Sequence, residues 1–275
     1  MKTTDVIDEL QRLPMRPSAV TQVLTVLDDE GASARDVASA LQTDPTLCAR
    51  LLHLANSPYF GLSGKVGNVE RAVVALGAST VRTLAVSTAA GMFGEKGEAM
   101  PDGFWRHSVA VAAGASIAAR FAHIPPGDAL CAGLLHDLGA ALLFRMDTDG
   151  YTERSAAELT PEAYIESEAE AYTGNHAMIG AFALDAWKLP ESIVMAIRMH
   201  HLDPTTVEEK LGRVVIAGEA LARSADENEN WSHEPARDPA ETFHALGLTA
   251  VSIEMLVRRT AEEAEALDAV LGAVR

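Results

Sequence analysis

The chain has 275 residues, enough for one large domain or two smaller ones with a sizeable buried core. Hydrophobic residues make up 48% of it and aromatic ones only 5%, with Ala and Leu dominant, a bias toward helix over sheet. The formal net charge of −17 argues against a general nucleic-acid binder and against an anionic membrane surface as partner, because such a chain repels phosphate.

Val6, Ile7, Leu10 and Leu13 fall at helical spacing and predict a short helix over residues 1–13, ended by Leu13-Pro14. Pro17-Ser18 opens a helix carrying Val20, Val23, Leu24 and Leu27, and Gly31 breaks it. Ser33 is a good N-cap for the next helix, through Val37, Ala38 and Leu41, and Asp44-Pro45 starts another over residues 46–55. A turn-rich break follows from Asn56 to Gly61, in which Asn56 and Ser57 read as helix-terminating residues, with ligand binding as the alternative. Helices are predicted over residues 69–76 and 79–93, separated by Gly77. The glycine- and charge-rich stretch 94–103 marks the boundary between two helical lobes, residues 1–97 and 98–275. Cys48 and Cys131 each sit in an apolar helical pattern and read as small buried hydrophobes, not as a disulfide. No basic segment followed by an apolar one opens the chain, and no apolar run of about 18 residues lacks polar breaks, so a cytoplasmic location is expected.

The second lobe starts with a long helix over residues 104–123, closed by Ile124-Pro125-Pro126-Gly127. An apolar segment, residues 129–144, follows, and the spacing of Leu134, Leu135, Leu138, Ala141 and Leu142 predicts one buried helix. The pair His136-Asp137 interrupts it. A carboxylate and an imidazole are costly to bury unless each finds a partner. A divalent cation satisfies both, and a His–Asp hydrogen bond that fixes helix packing is the alternative. Thr160-Pro161 opens a polar helix to Tyr172, Asn175 caps one over 176–187, and Leu189-Pro190-Glu191 opens one that ends at His200-His201 and is stopped by Asp203-Pro204. A helix over 207–223 precedes an acidic, loop-like stretch at 224–239, and two amphipathic helices, 249–260 and 261–274, end the chain. With no alternating strand pattern and no internal repeat, the fold class is all-α.

Five of the nine histidines, His107, His136, His176, His200 and His201, lie with Asp137 on or at the ends of helices in the second lobe. Four helices converging such ligands in a bundle core is a common way to build a metal site. His53, His123, His233 and His244 are expected to be satisfied core residues.

The order His…His-Asp…His…His-His resembles the HD superfamily of metal-dependent phosphohydrolases, in particular its HD-GYP branch. From Leu13 to about Asp203 the chain resembles more closely the HDOD family, the HD-related output domains of bacterial signalling proteins. That resemblance is carried by Leu13-Pro14, Asp44-Pro45, the run from Leu51 to Ser57, residues 72–77, Trp105-Arg106-His107-Ser108, the run from Gly133 to Gly139, Gly174-Asn175-His176 with Gly180, and Trp187-Lys188-Leu189-Pro190 before His200-His201. It implies a two-lobed helical HDOD fold, a single domain over about 13–205, with a family-specific N-terminal lobe and an HD-like C-terminal helical bundle. It also implies a regulatory or output module in bacterial signal transduction that contacts signalling protein partners. The alternatives are a metal-dependent phosphohydrolase or cyclic-nucleotide or dinucleotide phosphodiesterase, and a domain that senses a metal or nucleotide ligand by binding alone.

Carried over residue by residue, the HD-GYP pattern makes His107, His136, Asp137, His176, His200 and His201 ligands of one or two divalent transition metals such as Fe, Mn or Zn. Asp137 would bridge, with His107 and His136 on one side and His176, His200 and His201 on the other. Such an ion pair activates water for attack on phosphorus. The chain departs from that pattern in several places. Ala140 replaces the phosphate-contacting lysine, and Leu202-Asp203-Pro204 follows the His pair where HD-GYP proteins have Gly-Tyr-Pro. The late aspartate is expected near residues 214–217, and Glu219 would be turned about 100° from that face. Arg106 and Arg145 are almost the whole supply of positive charge near the cluster. The expectation is a metal bound without turnover.

Overall fold

The computed structural model describes residues 19–57, 60, 65–90, 92, 101, 103–157, 159–226, 231, 237–248 and 252–272, and every regular element among them is an α-helix. The predicted helix over 1–13, the Leu13-Pro14 and Pro17-Ser18 boundaries, Gly61, Phe93, His233 and most of the 94–103 stretch lie outside these residues. The described residues fall into two compact units, one from 101–264 and the other from 19–92 together with 265–272.

The smaller unit holds α1 (Ala19–Leu27), α2 (Ala34–Leu41), α3 (Pro45–Asn56) and α4 (Val69–Ala89). Helix α4 packs against each of the other three, and Leu41, Leu47, Leu51 and Leu54 are fully buried, each side chain contributing roughly 1.5–3 kcal/mol. The helix starts follow from their caps. Ser33 accepts the Asp36 backbone N–H while Asp36 reaches back to that of Ser33, Asp44 accepts from Thr46 and Leu47, and Asn68 accepts from Arg71. Gly77 adopts φ 79°, ψ 162° and breaks α4 at the predicted place.

Asn56 is a structural clamp. Its amide donates to the carbonyls of Leu52 (2.9 Å) and Val66 (2.8 Å) and accepts the Val66 N–H (3.0 Å). Ser57 Oγ donates to the Leu54 carbonyl. Cys48 is only half-buried and donates its thiol to the Leu41 carbonyl, whereas Cys131 is buried as expected.

The larger unit holds α5 (Phe104–Ala122), α6 (Pro126–Leu135), α7 (Leu138–Met146), α8 (Thr148–Ser155), α9 (Pro161–Tyr172), α10 (His176–Ala186), α11 (Glu191–Met199), α12 (Lys210–Ala225) and α13 (Pro239–Ala245). Helix α5 packs on α6 and α12, α10 on α7 and α11, and α11 on α6 and α12. The apolar segment 129–144 is not one helix. It breaks at the His-Asp pair, where Asp137 takes φ −98°, ψ 14°. Thr160 and Asn175 cap α9 and α10 as predicted, while α8, capped by Asp147, and α13, capped by Asp238, were not expected. The two helices predicted for the end of the chain are one, α14 (Ile253–Gly272): Thr260 bonds the Leu256 carbonyl inside it, and no residue there breaks the ladder.

By composition and length, Val69–Ala89 and Pro126–Met146 could each cross a membrane, yet 61% and 83% of these stretches is buried within the fold. Gly77 and Asp137 interrupt them. Their apolarity is that of core helices. Three histidines expected in the core, His53, His123 and His244, are exposed instead; each has a helix surface or a helix end on the solvent side.

Candidate metal centre

The site is built from helix ends. His107 lies in the first turn of α5; His136 caps the C-terminus of α6 and Asp137 precedes α7; His176 opens α10; His200 caps α11 and His201 follows it. Close backbone approaches bring these ends together, and Gly133 of α6 resting on the main chain of Val111 and Ala112 in α5 is one of them. A Cβ on Gly139 would run into the His176 carbonyl, so only glycine lets the start of α7 lie against the start of α10. Gly114 of α5 and Gly218 of α12 likewise meet main chain to main chain, which carries Glu219 toward His107.

Asp137 sits where a helix N-cap would be, yet makes no side-chain cap bond. Its carboxylate faces the histidines. Oδ2 is 3.3 Å from His136 Nε2 and 3.5 Å from His107 Nε2, and those two nitrogens are 3.0 Å apart. Glu219 Oε2 completes this group at 3.3 Å from His107 Nε2 and 3.5 Å from His136 Nε2. Oδ1 faces the other way, 3.3 Å from His176 Nε2 and 3.5 Å from His200 Nε2, with His201 Nε2 2.6 Å from His176 Nε2. All six expected ligands are therefore brought together, in two groups that meet at Asp137.

The rings are oriented from behind. His136 Nδ1 donates to the Gly133 carbonyl at 2.8 Å, His200 Nδ1 to the Ile197 carbonyl at 2.5 Å, and His176 Nδ1 to Glu168 Oε2 at 2.7 Å. With the proton on Nδ1, each ring turns an Nε2 lone pair inward, the tautomer a metal ligand needs. Donor atoms about 2.1 Å from one cation stand about 3.0–3.5 Å apart at octahedral to tetrahedral angles. Most of the separations above fall in that range.

The electrostatics point the same way. Burial pushes the Asp137 carboxyl up, but His136, His176 and His200 reverse this and hold it well below the usual range. Burial also raises Glu219, and His107 and His136 more than offset that, bringing it to about 2. Burial disfavours the imidazolium of His136 and of His176. Asp137 nevertheless lifts His136 above its ordinary value, and Glu168 with Asp137 lifts His176 well above it. Two buried carboxylates facing inward lone pairs demand positive charge, from protons on the imidazoles or from a cation. The donor set, imidazole nitrogen and carboxylate oxygen, fits a divalent transition metal.

One expectation is corrected. Glu219 is not turned away from the cluster; it is buried within it, because the Gly114–Gly218 approach sets that face of α12 against α5 and a glutamate reaches one methylene further than an aspartate. Two further residues carried no signal in the sequence. Glu168 lies behind His176, and the Trp231 indole N–H donates to Asp137 Oδ2 at 2.9 Å while its ring meets Phe104 edge-on. Arg106 is exposed and paired with Asp226.

The HDOD domain profile matches residues 13–202. A protein of Treponema pallidum (strain Nichols), named only as uncharacterized, is 26% identical over 221 residues, which cover 74% of this chain and 40% of that one. The chain thus spans well under half the length of that relative. Among solved structures, one from Shewanella amazonensis SB2B, provisionally named a phosphohydrolase, shares 26% identity and a TM-score of 0.69, covering 98% of this chain and 97% of its own. Another, from Marinobacter aquaeolei VT8 and provisionally named a signal transduction protein, has 21% identity and a TM-score of 0.69, covering 97% of this chain and 60% of its own; at that identity it speaks for the fold.

Proposed function

The chain belongs to the HDOD family, and on that footing we propose that it is a cytoplasmic signalling output module that binds divalent transition metal without turnover and acts through contacts with a protein partner. The observation that carries this is the burial of the centre, in which only His201 among the six ligands is half-buried. His107, His136, Asp137, His176 and His200 are all buried, and the buried Trp231 covers Asp137. Ala140 stands at the position of the phosphate-contacting lysine and is itself buried among apolar neighbours. Arg106, the cation nearest in sequence to a ligand, is turned to Asp226 in solvent. Arg237, the described cation beside the ligands, turns its guanidinium to the main-chain carbonyls of His201 and Leu202 at 3.4 Å. The surface charge favours a partner with a basic face.

In this proposal His107, His136 and Glu219, with Asp137, would hold one cation, and His176, His200 and His201, with Asp137, would hold another. A divalent metal there would supply Lewis acidity and tie together the ends of α5, α6, α7, α10 and α11. The residues do the rest. The carbonyls of Gly133 and Ile197 fix the tautomers of His136 and His200, and Asp137 joins the two groups.

A metal-dependent phosphohydrolase is the second function, favoured by one observation: Glu219 supplies the late acid, so the ligand set is complete. The provisional name of the Shewanella protein accords with it. One experiment separates the two. Protein purified without chelators is analysed for metal and then offered nucleotides, cyclic dinucleotides and simple phosphate esters. Bound metal with no product supports the output module. Product lost in His136→Ala or Asp137→Ala protein would establish the hydrolase instead, and metal at background would remove the centre from both.

A further inference from the structure

Behind the His176 side of the centre lies a buried charge that the ligand set leaves out. Glu168, on α9, is fully enclosed. Its Oε2 accepts both the Nδ1–H of His176 (2.7 Å) and the backbone N–H of the same residue (2.9 Å), and its Oε1 accepts the hydroxyl of the buried Tyr151 at 3.2 Å. A buried carboxylate is costly unless each oxygen is satisfied, and here both are.

The two groups around Asp137 differ in one respect. His107 and His136 have a carboxylate of their own, Glu219, at the inward face of the rings. On the Oδ1 side the carboxylate that backs a ring from behind is a different one. It is Glu168, which reaches His176, His200 and His201 through the far nitrogen of His176. On the other side His136 is backed by the neutral Gly133 carbonyl. Among the described residues, Glu219 meets its group directly and Glu168 meets the other through the imidazole of His176.

We propose that Glu168 is the positioning residue of the His176/His200/His201 group, holding His176 in the Nδ1–H tautomer and supplying through the ring the negative charge that lets this group bind a divalent cation. The idea rests on the proposed metal centre. Carboxylates behind metal-bound histidines raise ligand basicity, and their loss typically costs about 10–100-fold in metal affinity.

The test is a cobalt(II) titration of the full chain, with absorbance in the visible and bound cobalt by elemental analysis, on wild type, Glu168→Gln and Glu219→Gln. Glutamine keeps the shape and an accepting oxygen for His176 while removing the charge. The expected result is that Glu168→Gln weakens one binding step about 10–100-fold and leaves the other in place, while Glu219→Gln weakens the other step. Unchanged steps in Glu168→Gln, or both steps weakened alike, would overturn the role of Glu168 with the metal centre intact. No cobalt on the wild type overturns the centre itself, and the role with it. Should Glu168→Gln fail to fold, ring ¹⁵N shifts of His176 in zinc-loaded wild type decide: a proton on Nδ1 supports the role, and Nδ1 without one rejects it.

Discussion

Asn56 in the smaller unit and Asp137 in the larger stand in similar places, each at a helix end within an apolar stretch, and they are satisfied in opposite ways. Every partner of the Asn56 amide is main chain, no more than ten residues away. Asp137 faces side chains carried by other elements, the most distant in sequence being Trp231, 94 residues on. A polar group closed on nearby backbone can only hold a loop in place. One closed on titratable side chains has partners that can exchange a proton for a cation.

Asp137→Ala tests that contrast with the largest expected effect. Bound transition metal should fall to background by elemental analysis, and any stabilisation by added metal should vanish with it, about 2.7 kcal/mol at a hundredfold excess over the dissociation constant. Metal retained in this variant would make Asp137 a packing residue like Asn56.

The pH dependence of stability comes next. In chelator-stripped protein, His136 and His176 hold protons above the ordinary histidine value of 6.5, so the stability they supply is complete below that pH and is lost as pH rises through their raised values. Glu219, at about 2 against an ordinary 4.5, supplies stability that is present above 4.5 and lost as pH falls toward 2. The stripped protein should therefore melt highest between about pH 4.5 and 6.5. Metal-loaded protein should instead gain stability as pH rises past about 6.5, because cation and protons compete for the same nitrogens. Thermal melts with and without chelator check this, and curves that run parallel would remove the cation from the picture.

Asn56→Ala sharpens the other side. It strips the N–H and C=O of Val66 of their side-chain partners and should cost about 1–3 kcal/mol in a urea titration. Metal content should not change. Smallest of all, Ser33→Ala removes the cap of α2 and should cost about 1 kcal/mol by the same measurement.

The same contrast decides what could be read from sequence. Helix starts were legible because a cap acts within three residues: Ser33, Asp44, Thr160 and Asn175 each cap the helix expected of them. Gly77 as a breaker was legible for a similar reason. The break at His136-Asp137 was not, since the apolar spacing runs straight through it. His107, His136, Asp137, His176, His200 and His201 could be grouped because their order follows a known family pattern. Glu168 and Trp231 belong to no such pattern, and their roles depend on where α9 and the chain after α12 end up. Glu219 was misjudged by counting helix faces from an assumed register, when the glycine contact with α5 decides which face of α12 turns inward.

That glycine contact has a mechanical consequence. Where α5 crosses α12 at Gly114 and Gly218, and where α7 meets α10 at Gly139, backbone rests on backbone with no side chain between to re-pack. Each pair is a stiff frame, since a contact without rotamers has no second arrangement to fall into. His107 and Glu219 ride on the first frame, and His176 starts a helix of the second. Asp137, at the head of α7, joins them like the tongue of a clasp. A cation bound across the centre would therefore bear on the gap between two frames that themselves keep their form.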